Sequence, residues 1–122
     1  MENLKILLIE DNQLLRWWLA RSLIREGFLV IAPKTVEEAL QLGTTCPFDV
    51  LVSDWRLTDG HDGLQILATV RESYPHIISF LISAEADDDL TAKALGAGFD
   101  QVFQKPVDVS QIVGAIQSRV SC

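Results

Sequence analysis

The sequence predicts an α/β fold in which a doubly wound, five-stranded parallel sheet carries helices on both faces. Three observations lead to this prediction. Five short apolar runs alternate with segments of helical periodicity. Each run is almost continuously hydrophobic, as strands buried on both faces are. Polar residues follow directly where the runs end. This alternation favours parallel strands joined by right-handed crossover helices.

Length and composition place all 122 residues in one domain, 1–122. The chain is 48% hydrophobic and 22% charged, as a globular protein is. Its net charge of −7 disfavours direct nucleic-acid binding and adhesion to anionic membranes. No apolar run approaches the roughly 18 residues of a membrane helix, and the N-terminus lacks the basic region of a signal peptide. We therefore expect a cytoplasmic domain.

The two cysteines, Cys46 and Cys122, do not have the spacing of a metal site. We interpret them as incidental thiols of a reducing compartment. An intermolecular disulfide through Cys122 remains open as an alternative.

The first half of the chain supplies three strands and two helices. The predicted strands are 4–9, 28–32 and 48–53, and the predicted helices are 13–26 and 35–42. Residues at helical spacing predict an inward face on the first helix: Leu14, Leu15, Trp18, Leu19, Ser22 and Leu23. Trp17 adjoins Trp18, so at least one of the two is expected to be partly exposed. Thr35 and Glu38 have the spacing of a capping box, which predicts the second helix start.

The second half supplies two more strands, 77–82 and 100–104, and three helices. The third helix is predicted between Gly63 and Tyr74, where Tyr74-Pro75 stops it. The fourth is predicted to follow the small and acidic segment 84–89 and to run to about Leu95, with Gly96 and Gly98 ending it. A second capping-box spacing, 108–111, predicts the last helix. Its inward residues are predicted to be Ile112, Val113, Ile116 and Val120.

Polar residues that end different strands are predicted to share one edge of the sheet, because all parallel strands point the same way. These residues are Glu10, Asp11, Asp54, Ser83 and Lys105. In the flavodoxin-like strand order 2-1-3-4-5, the switch point lies between strands one and three. The acidic pair Glu10-Asp11 and the carboxylate of Asp54 would flank that point.

The chemistry of this set favours phosphoryl transfer. Converging carboxylates repel one another, and an all-oxygen set suits Mg²⁺, which takes one or two carboxylates together with waters and a phosphate. Lys105 and Ser83 add a cation and a hydroxyl donor that can meet phosphoryl oxygens. The set can therefore support attack by Asp54 on phosphorus while Mg²⁺ and Lys105 neutralise charge.

At these residues the sequence resembles the receiver domains of bacterial two-component response regulators, over essentially its whole length. The matching positions are Glu10, Asp11, Asp54, Ser83, Ala84, Lys105 and Pro106, with 57–63 and 96–100. The resemblance implies that Asp54 accepts a phosphoryl group and that Lys105 and Ser83 contact that group. It implies that Mg²⁺ is bound by Asp11, by Asp54, by the backbone carbonyl of Arg56, and by Glu10 either directly or through water.

The same resemblance implies the partners. The phosphodonor would be a sensor histidine kinase or a phosphotransfer protein. The output surface would be the fourth helix, fifth strand and fifth helix, roughly 87–120, which could form a homodimer. An output domain could lie outside this chain. The domain would not be an enzyme on foreign substrates, and would catalyse only its own phosphorylation and slow autodephosphorylation.

Two departures from the family pattern lead to separate expectations. The family carries an aromatic residue three positions before the lysine, where this chain has Val102, and Phe103 should point to the opposite face of the sheet. Thr58 stands where proline is common. Arg56 and Glu85 are expected to flank the pocket mouth, where an ion pair between them would slow hydrolysis of the phosphoryl group.

Three other functions are weighed against the phosphorylation switch. A degenerate receiver that binds partners without phosphorylation stays open because of Val102. A haloacid-dehalogenase-type phosphatase would carry a second Asp where this chain has Arg56. A flavodoxin would need a hydroxyl- and glycine-rich phosphate loop after the first strand, and Glu10-Asp11 would repel that phosphate.

Overall fold

The computed structural model describes residues 4–45, 47–57 and 60–120. The strands are β1 (Lys5–Ile9), β2 (Leu29–Ile31), β3 (Val50–Asp54), β4 (Ile78–Ser83) and β5 (Gln101–Gln104). The helices are α1 (Gln13–Arg25), α2 (Val36–Thr45), α3 (Gly63–Ser73), α4 (Asp88–Ala97) and α5 (Val109–Val120). The strands form one parallel sheet in the order β2-β1-β3-β4-β5, which confirms the predicted fold. Cys46, Thr58 and Cys122 lie outside the described residues.

Two apolar layers cover the sheet, because successive strand residues point to opposite faces. Leu8 packs in the layer that α1 and α5 cover, and Leu7 packs in the layer that α2, α3 and α4 cover. The central strand β3 is buried at every residue, which explains its unbroken apolar run before Ser53 and Asp54. The sheet core therefore holds the strand ends rigidly at one edge.

Helix α1 differs from the prediction in which residues face inward. Leu19 and Leu23 are buried, but Leu14 is 76% exposed and Trp18 is 44% exposed. Leu19 and Leu23 are four residues apart and make a narrow stripe toward the sheet, and Trp18 is turned about 100° away from it. Trp17 is also exposed. The predicted inward positions of Leu14 and Trp18 are therefore wrong.

Several helix ends differ from prediction. Helix α4 continues through Gly96 and ends at Gly98, whose φ of 113° is left-handed. The Asp108 carboxylate accepts from Ser110 N, whereas Gln111 N donates to the Asp108 carbonyl, so no capping box forms there. Thr35 Oγ1 accepts from Glu38 N as predicted. Helix α3 begins with a capping box of Asp62 and Gln65 that the sequence analysis did not identify.

Helix α5 buries Ile112 and Ile116 as predicted, but Val120 at its end is exposed, contrary to prediction. Val120 lies four residues, about one helical turn, beyond Ile116, the last buried residue of the helix. Among the described residues, no helix is both long and apolar enough to cross a membrane.

Candidate functional site

The carboxyl edge of the sheet brings the predicted residues together. Parallel pairing aligns Asp54 with Ile82 and Ser83 with Gln104, so β3, β4 and β5 end at the same level. A cavity of about 200 Å³ opens there. It is lined by Asp54, Trp55, Arg56, Ser83, Ala84, Glu85 and Lys105. Glu10 adjoins the cavity-lining residues through its contact with Lys105.

Lys105 joins the two buried carboxylates. Its Nζ lies 2.8 Å from Glu10 Oε1 and donates to Asp54 Oδ2 at 3.1 Å. The contacts span the sheet, because Glu10 follows β1, Asp54 ends β3 and Lys105 follows β5. The peptide bond from Lys105 to Pro106 is cis. The structure therefore assembles three of the predicted residues from three separate strands.

Burial makes the charge on Asp54 costly. Desolvation and the neighbouring Glu10 carboxylate raise the pKa of Asp54 to about 6, against the opposing effect of Lys105. Burial disfavours the ammonium form of Lys105, but its contacts with Glu10 and Asp54 outweigh this and raise its pKa. The site thus holds two buried acids against one cation and has excess negative charge.

This excess charge fits a divalent cation. Glu10 Oε1 is buried and has no hydrogen-bond partner of good geometry among the described residues, although it is ion-paired to Lys105. Glu10 Oε2 accepts from Asn12 N at 3.0 Å. Asp11 follows Glu10 in the chain and is half-buried. The residues present therefore have both the charge and the oxygen donors that a cation would satisfy.

The described residues contain no group of three or more His, Cys, Asp or Glu side chains arranged to hold a metal ion. Within that same part of the chain, the Lys105 ammonium lies between the carboxylates of Glu10 and Asp54. A hydrated Mg²⁺ needs only one or two carboxylates, with waters and a carbonyl completing its shell. The site therefore suits a partly hydrated cation rather than one enclosed by side chains.

Ser83 is buried at the end of β4, and its hydroxyl is tied to the following loop. Its Oγ accepts from Glu85 N at 3.0 Å, and its carbonyl accepts from Lys105 N at 2.8 Å. Gln104 Nε2 donates to the Ala84 carbonyl at 2.8 Å and fastens the same loop to β5. The sequence analysis missed Gln104, because a side chain that binds a backbone carbonyl leaves no sequence pattern.

Residues 6–117 match the sequence pattern of the response regulator receiver domain family. The chain belongs to this family. The receiver domain is 29% identical over 121 residues to the DNA-binding transcriptional regulator NtrC of Proteus hauseri. That match covers 99% of this chain and 25% of the relative, so the chain spans about a quarter of the relative's length.

Solved receiver structures share the fold. A response regulator protein from Burkholderia pseudomallei, solved with a phosphorylated aspartic acid, a calcium ion and citrate, superposes with a TM-score of 0.87 at 28% identity. That match covers 98% of this chain and 69% of the other chain. A CheY-like receiver domain from Methanospirillum hungatei gives a TM-score of 0.88 at 22% identity, covering 98% and 95% of the two chains.

The mouth of the receiver's cavity contains Arg56 and Glu85, as predicted. Ion pairs within the described part of the chain do not include one between these two side chains, so that expectation is not met in this structure. Arg56 is fixed through its backbone, which forms an antiparallel bridge with Asp62. This bridge folds the segment after β3 back on itself. The side chain of Arg56 is exposed to solvent.

The two β5 residues before Gln104 face opposite layers, as predicted. Val102 packs in the layer with α4, whereas Phe103 is buried in the layer with α1 and α5. Phe103 meets Phe80 edge to face, with ring centroids 5.5 Å apart. On the α4 side of the sheet, β5 therefore has the aliphatic side chain of Val102 at this position.

Proposed function

We propose that this receiver domain is a phosphoacceptor signalling switch. Asp54 would take a phosphoryl group from a sensor histidine kinase or a phosphotransfer protein in a Mg²⁺-dependent reaction. The observation that carries the proposal is the ion-paired set of Glu10, Lys105 and Asp54 at the carboxyl edge of the sheet. It holds an acceptor oxygen beside a cation within a cavity that a phosphoryl group can enter.

The nucleophile would be the Asp54 carboxylate. A pKa of about 6 leaves it mainly ionised at neutral pH but makes its oxygens more basic than those of an ordinary aspartate. An Asp54 oxygen forms the new bond to phosphorus as the bond from phosphorus to the donor nitrogen breaks, and the leaving imidazole keeps that electron pair. Lys105 already touches Asp54 and is placed to pair with the incoming phosphoryl oxygens.

The carboxylates of Asp11 and Asp54 and the backbone carbonyl of Arg56 would hold Mg²⁺, with Glu10 binding directly or through water. When bound, the ion neutralises phosphoryl charge that would otherwise repel the acidic pocket. Ser83 lines the same cavity, and its hydroxyl would donate to the transferred group. Because Ser83 Oγ accepts from Glu85 N, its hydroxyl hydrogen is still available for this donation, which would link the transferred group to the loop after β4.

That loop leads directly into α4, so the output surface would be α4, β5 and α5. Phosphorylation would shift the population between two arrangements of this surface. The surface would contact a second copy of the domain or an output domain beyond this chain. The longer regulator that this chain resembles is consistent with an attached output domain.

The test is intact mass after incubation with acetyl phosphate and Mg²⁺, with Asp54→Asn in parallel. We expect one added phosphoryl group on the wild-type chain, and none on the variant or with excess chelator. The adduct should also be lost on treatment with hydroxylamine, which cleaves acyl phosphates.

A phosphorylation-independent interaction module is the second candidate, and Val102 favours it because no aromatic side chain stands at that β5 position. Absence of the adduct, with the donor active on another receiver domain, would reject the switch and favour this module.

A further inference from the structure

Trp55 contacts both the cavity and the helical layer beside it. Its backbone is fixed, because Trp55 N donates to the Ile82 carbonyl at 3.0 Å and Gly63 N donates to the Trp55 carbonyl at 2.8 Å. Its ring is half-buried, lines the cavity next to Asp54, and packs on the apolar layer that contains Leu90 and Ala94 of α4. Any change in the cavity therefore acts next to this ring.

Helix α4 meets the same ring through a cation. Lys93 Nζ lies 5.4 Å from the centroid of the Trp55 ring, within the range of a cation–π contact. Helix α4 buries Leu90 and Ala94, and the Lys93 contact adds a polar attachment on the side of the cavity.

The two ends of α4 are held differently. At the C-terminal end, Arg71 Nη2 donates to the Gly98 carbonyl at 2.6 Å and Phe99 N donates to Ala94 O. At the N-terminal end the cap is local, because Asp87 Oδ1 accepts from Leu90 N within the same segment. A side-chain hydrogen bond therefore ties the C-terminal end of the helix to α3, whereas the N-terminal end is held by its local cap and by the buried Leu90.

Among the described residues, β5 contributes no aromatic ring to the apolar layer that α4 covers. Val102 faces α4 but is β-branched and stiff at χ1, and Phe103 is buried on the opposite face against Phe80. Of the cavity-lining residues, Trp55 alone carries a ring. A route from the cavity to α4 through an aromatic side chain thus has to begin at Trp55.

We propose that the Trp55–Lys93 contact couples the charge state of the Asp54 cavity to the position of α4. This inference rests on the proposed function. Relative to the Mg²⁺-loaded, unphosphorylated site, a phosphoryl group on Asp54 adds one negative charge to the cavity. That charge attracts the Lys93 ammonium toward the cavity and repels Asp88 and Asp89 in the first turn of α4. These opposed forces turn the helix about its anchored C-terminal end.

The test uses a chain in which Trp55 is the single tryptophan. The sequence contains three tryptophans, so Trp17→Phe and Trp18→Phe leave Trp55 alone as the fluorescent reporter. Beryllium fluoride, added to the Mg²⁺-loaded chain, serves as the phosphoryl analogue, and the chain with Mg²⁺ alone is the reference state. Trp55 fluorescence reports occupancy of the site, and hydrogen exchange of the 88–97 amides reports the response of α4.

Two Lys93 variants separate the cation from the aliphatic stem. Lys93→Met keeps a flexible stem without charge, and Lys93→Arg keeps a cation that can stack on the ring. We expect Lys93→Met to bind the analogue. The change in hydrogen exchange of the α4 amides on binding should be about two- to fivefold smaller than in the parent, as loss of an exposed cation–π contact implies. Lys93→Arg should restore the response.

Arg21→Met is the matched control, because Arg21 lies over Trp17 at 5.1 Å on α1, away from α4. It is made in a chain that retains Trp17, and it should leave the α4 response unchanged. An equal α4 response in Lys93→Met and its parent, with the site occupied in both, would overturn the coupling while leaving the proposed function intact. Failure of the parent to bind the analogue would instead reject the proposed function, and the coupling with it.

Discussion

At the scale of single residues, Asp54 makes the folded state less stable when it is ionised. Its pKa rises from 3.8 to about 6 on folding, because it is buried beside Glu10. Between these two pH values the folded state holds the proton more tightly than the unfolded state does. Stability from the protonated form is therefore present at low pH and is lost as the pH rises through about 4 to 6.

We therefore predict that Asp54→Asn increases the free energy of unfolding at pH 7 in metal-free buffer, by about 1–3 kcal/mol. The gain should shrink toward zero at pH 4, where wild-type Asp54 is protonated in the folded state. Urea denaturation at the two pH values measures both quantities. Glu72→Gln, which removes an exposed acid of α3, is the control. An equal gain at pH 4 and pH 7 would contradict the prediction.

Arg71 is a second residue with a measurable effect. It donates to the Gly98 carbonyl at 2.6 Å and to Ser79 Oγ at 3.3 Å, from a half-buried position. We predict that Arg71→Met lowers the free energy of unfolding by about 1–3 kcal/mol, because a carbonyl loses its charged donor. Chemical denaturation compares this variant with Arg25→Met, which removes an exposed arginine at the end of α1. Equal stability of the two variants would refute this role.

At the scale of elements, the start of α3 packs unusually close to β3 and β4. A Cβ atom on Gly63 would lie 2.6 Å from Leu81 Cδ1 and 2.8 Å from the backbone oxygen of Asp54. Glycine is therefore required there by close approach. Only a residue without a Cβ atom lets the first turn of α3 approach Leu81 and the Asp54 backbone this closely.

We predict that Gly63→Ala destabilises the fold by about 1–3 kcal/mol and slows phosphorylation of Asp54, because the backbone after β3 must shift. Gly114→Ala in α5 is the matched control. Nothing lies within 4 Å of its added Cβ, so it should stabilise the chain by about 0.5–1 kcal/mol. Thermal unfolding and the rate of adduct formation measure both effects. If the two variants melt alike, close packing at Gly63 is not important.

The elements also show what a sequence can predict. Strand β3 was predictable because a strand buried on both faces is a continuous apolar run, and its acidic end marks the carboxyl edge. Helix α1 was predicted as an element, but its inward face was not, since Leu14 and Trp18 fit the same periodicity as the buried positions. Arg71 could not be predicted, because its partner Gly98 is 27 residues away and contributes only a carbonyl.

At the scale of the whole molecule, the strand order determines which polar residues meet at one edge of the sheet. Glu10, Asp54 and Lys105 were expected at one edge from polarity alone, and the structure brings them into contact. The position of the Lys105 ammonium between two acids could not be predicted, because it depends on side-chain geometry. The roles of these residues toward Mg²⁺ and phosphate remain predictions.

Metal binding should stabilise the whole domain. We predict that Mg²⁺ raises the midpoint of thermal unfolding, because a ligand bound only by the folded state contributes about 2.7 kcal/mol at one hundred times its Kd. Asp11→Asn should remove most of this Mg²⁺-induced rise in the unfolding midpoint. Scans with Mg²⁺, with chelator, and with NaCl of equal ionic strength separate binding from screening. A shift that NaCl reproduces would exclude a specific site.

The register of the sheet has a consequence for folding. The Lys105–Asp54 contact joins residues 51 apart in sequence, and the contact with Glu10 reaches across most of the chain. Parallel pairings of such high contact order form slowly, after the intervening crossovers close. A chain that has paired only β1, β2 and β3 still lacks Lys105. The competence of this site to bind a ligand is therefore a late folding event, and it reports that the entire domain has reached its native register.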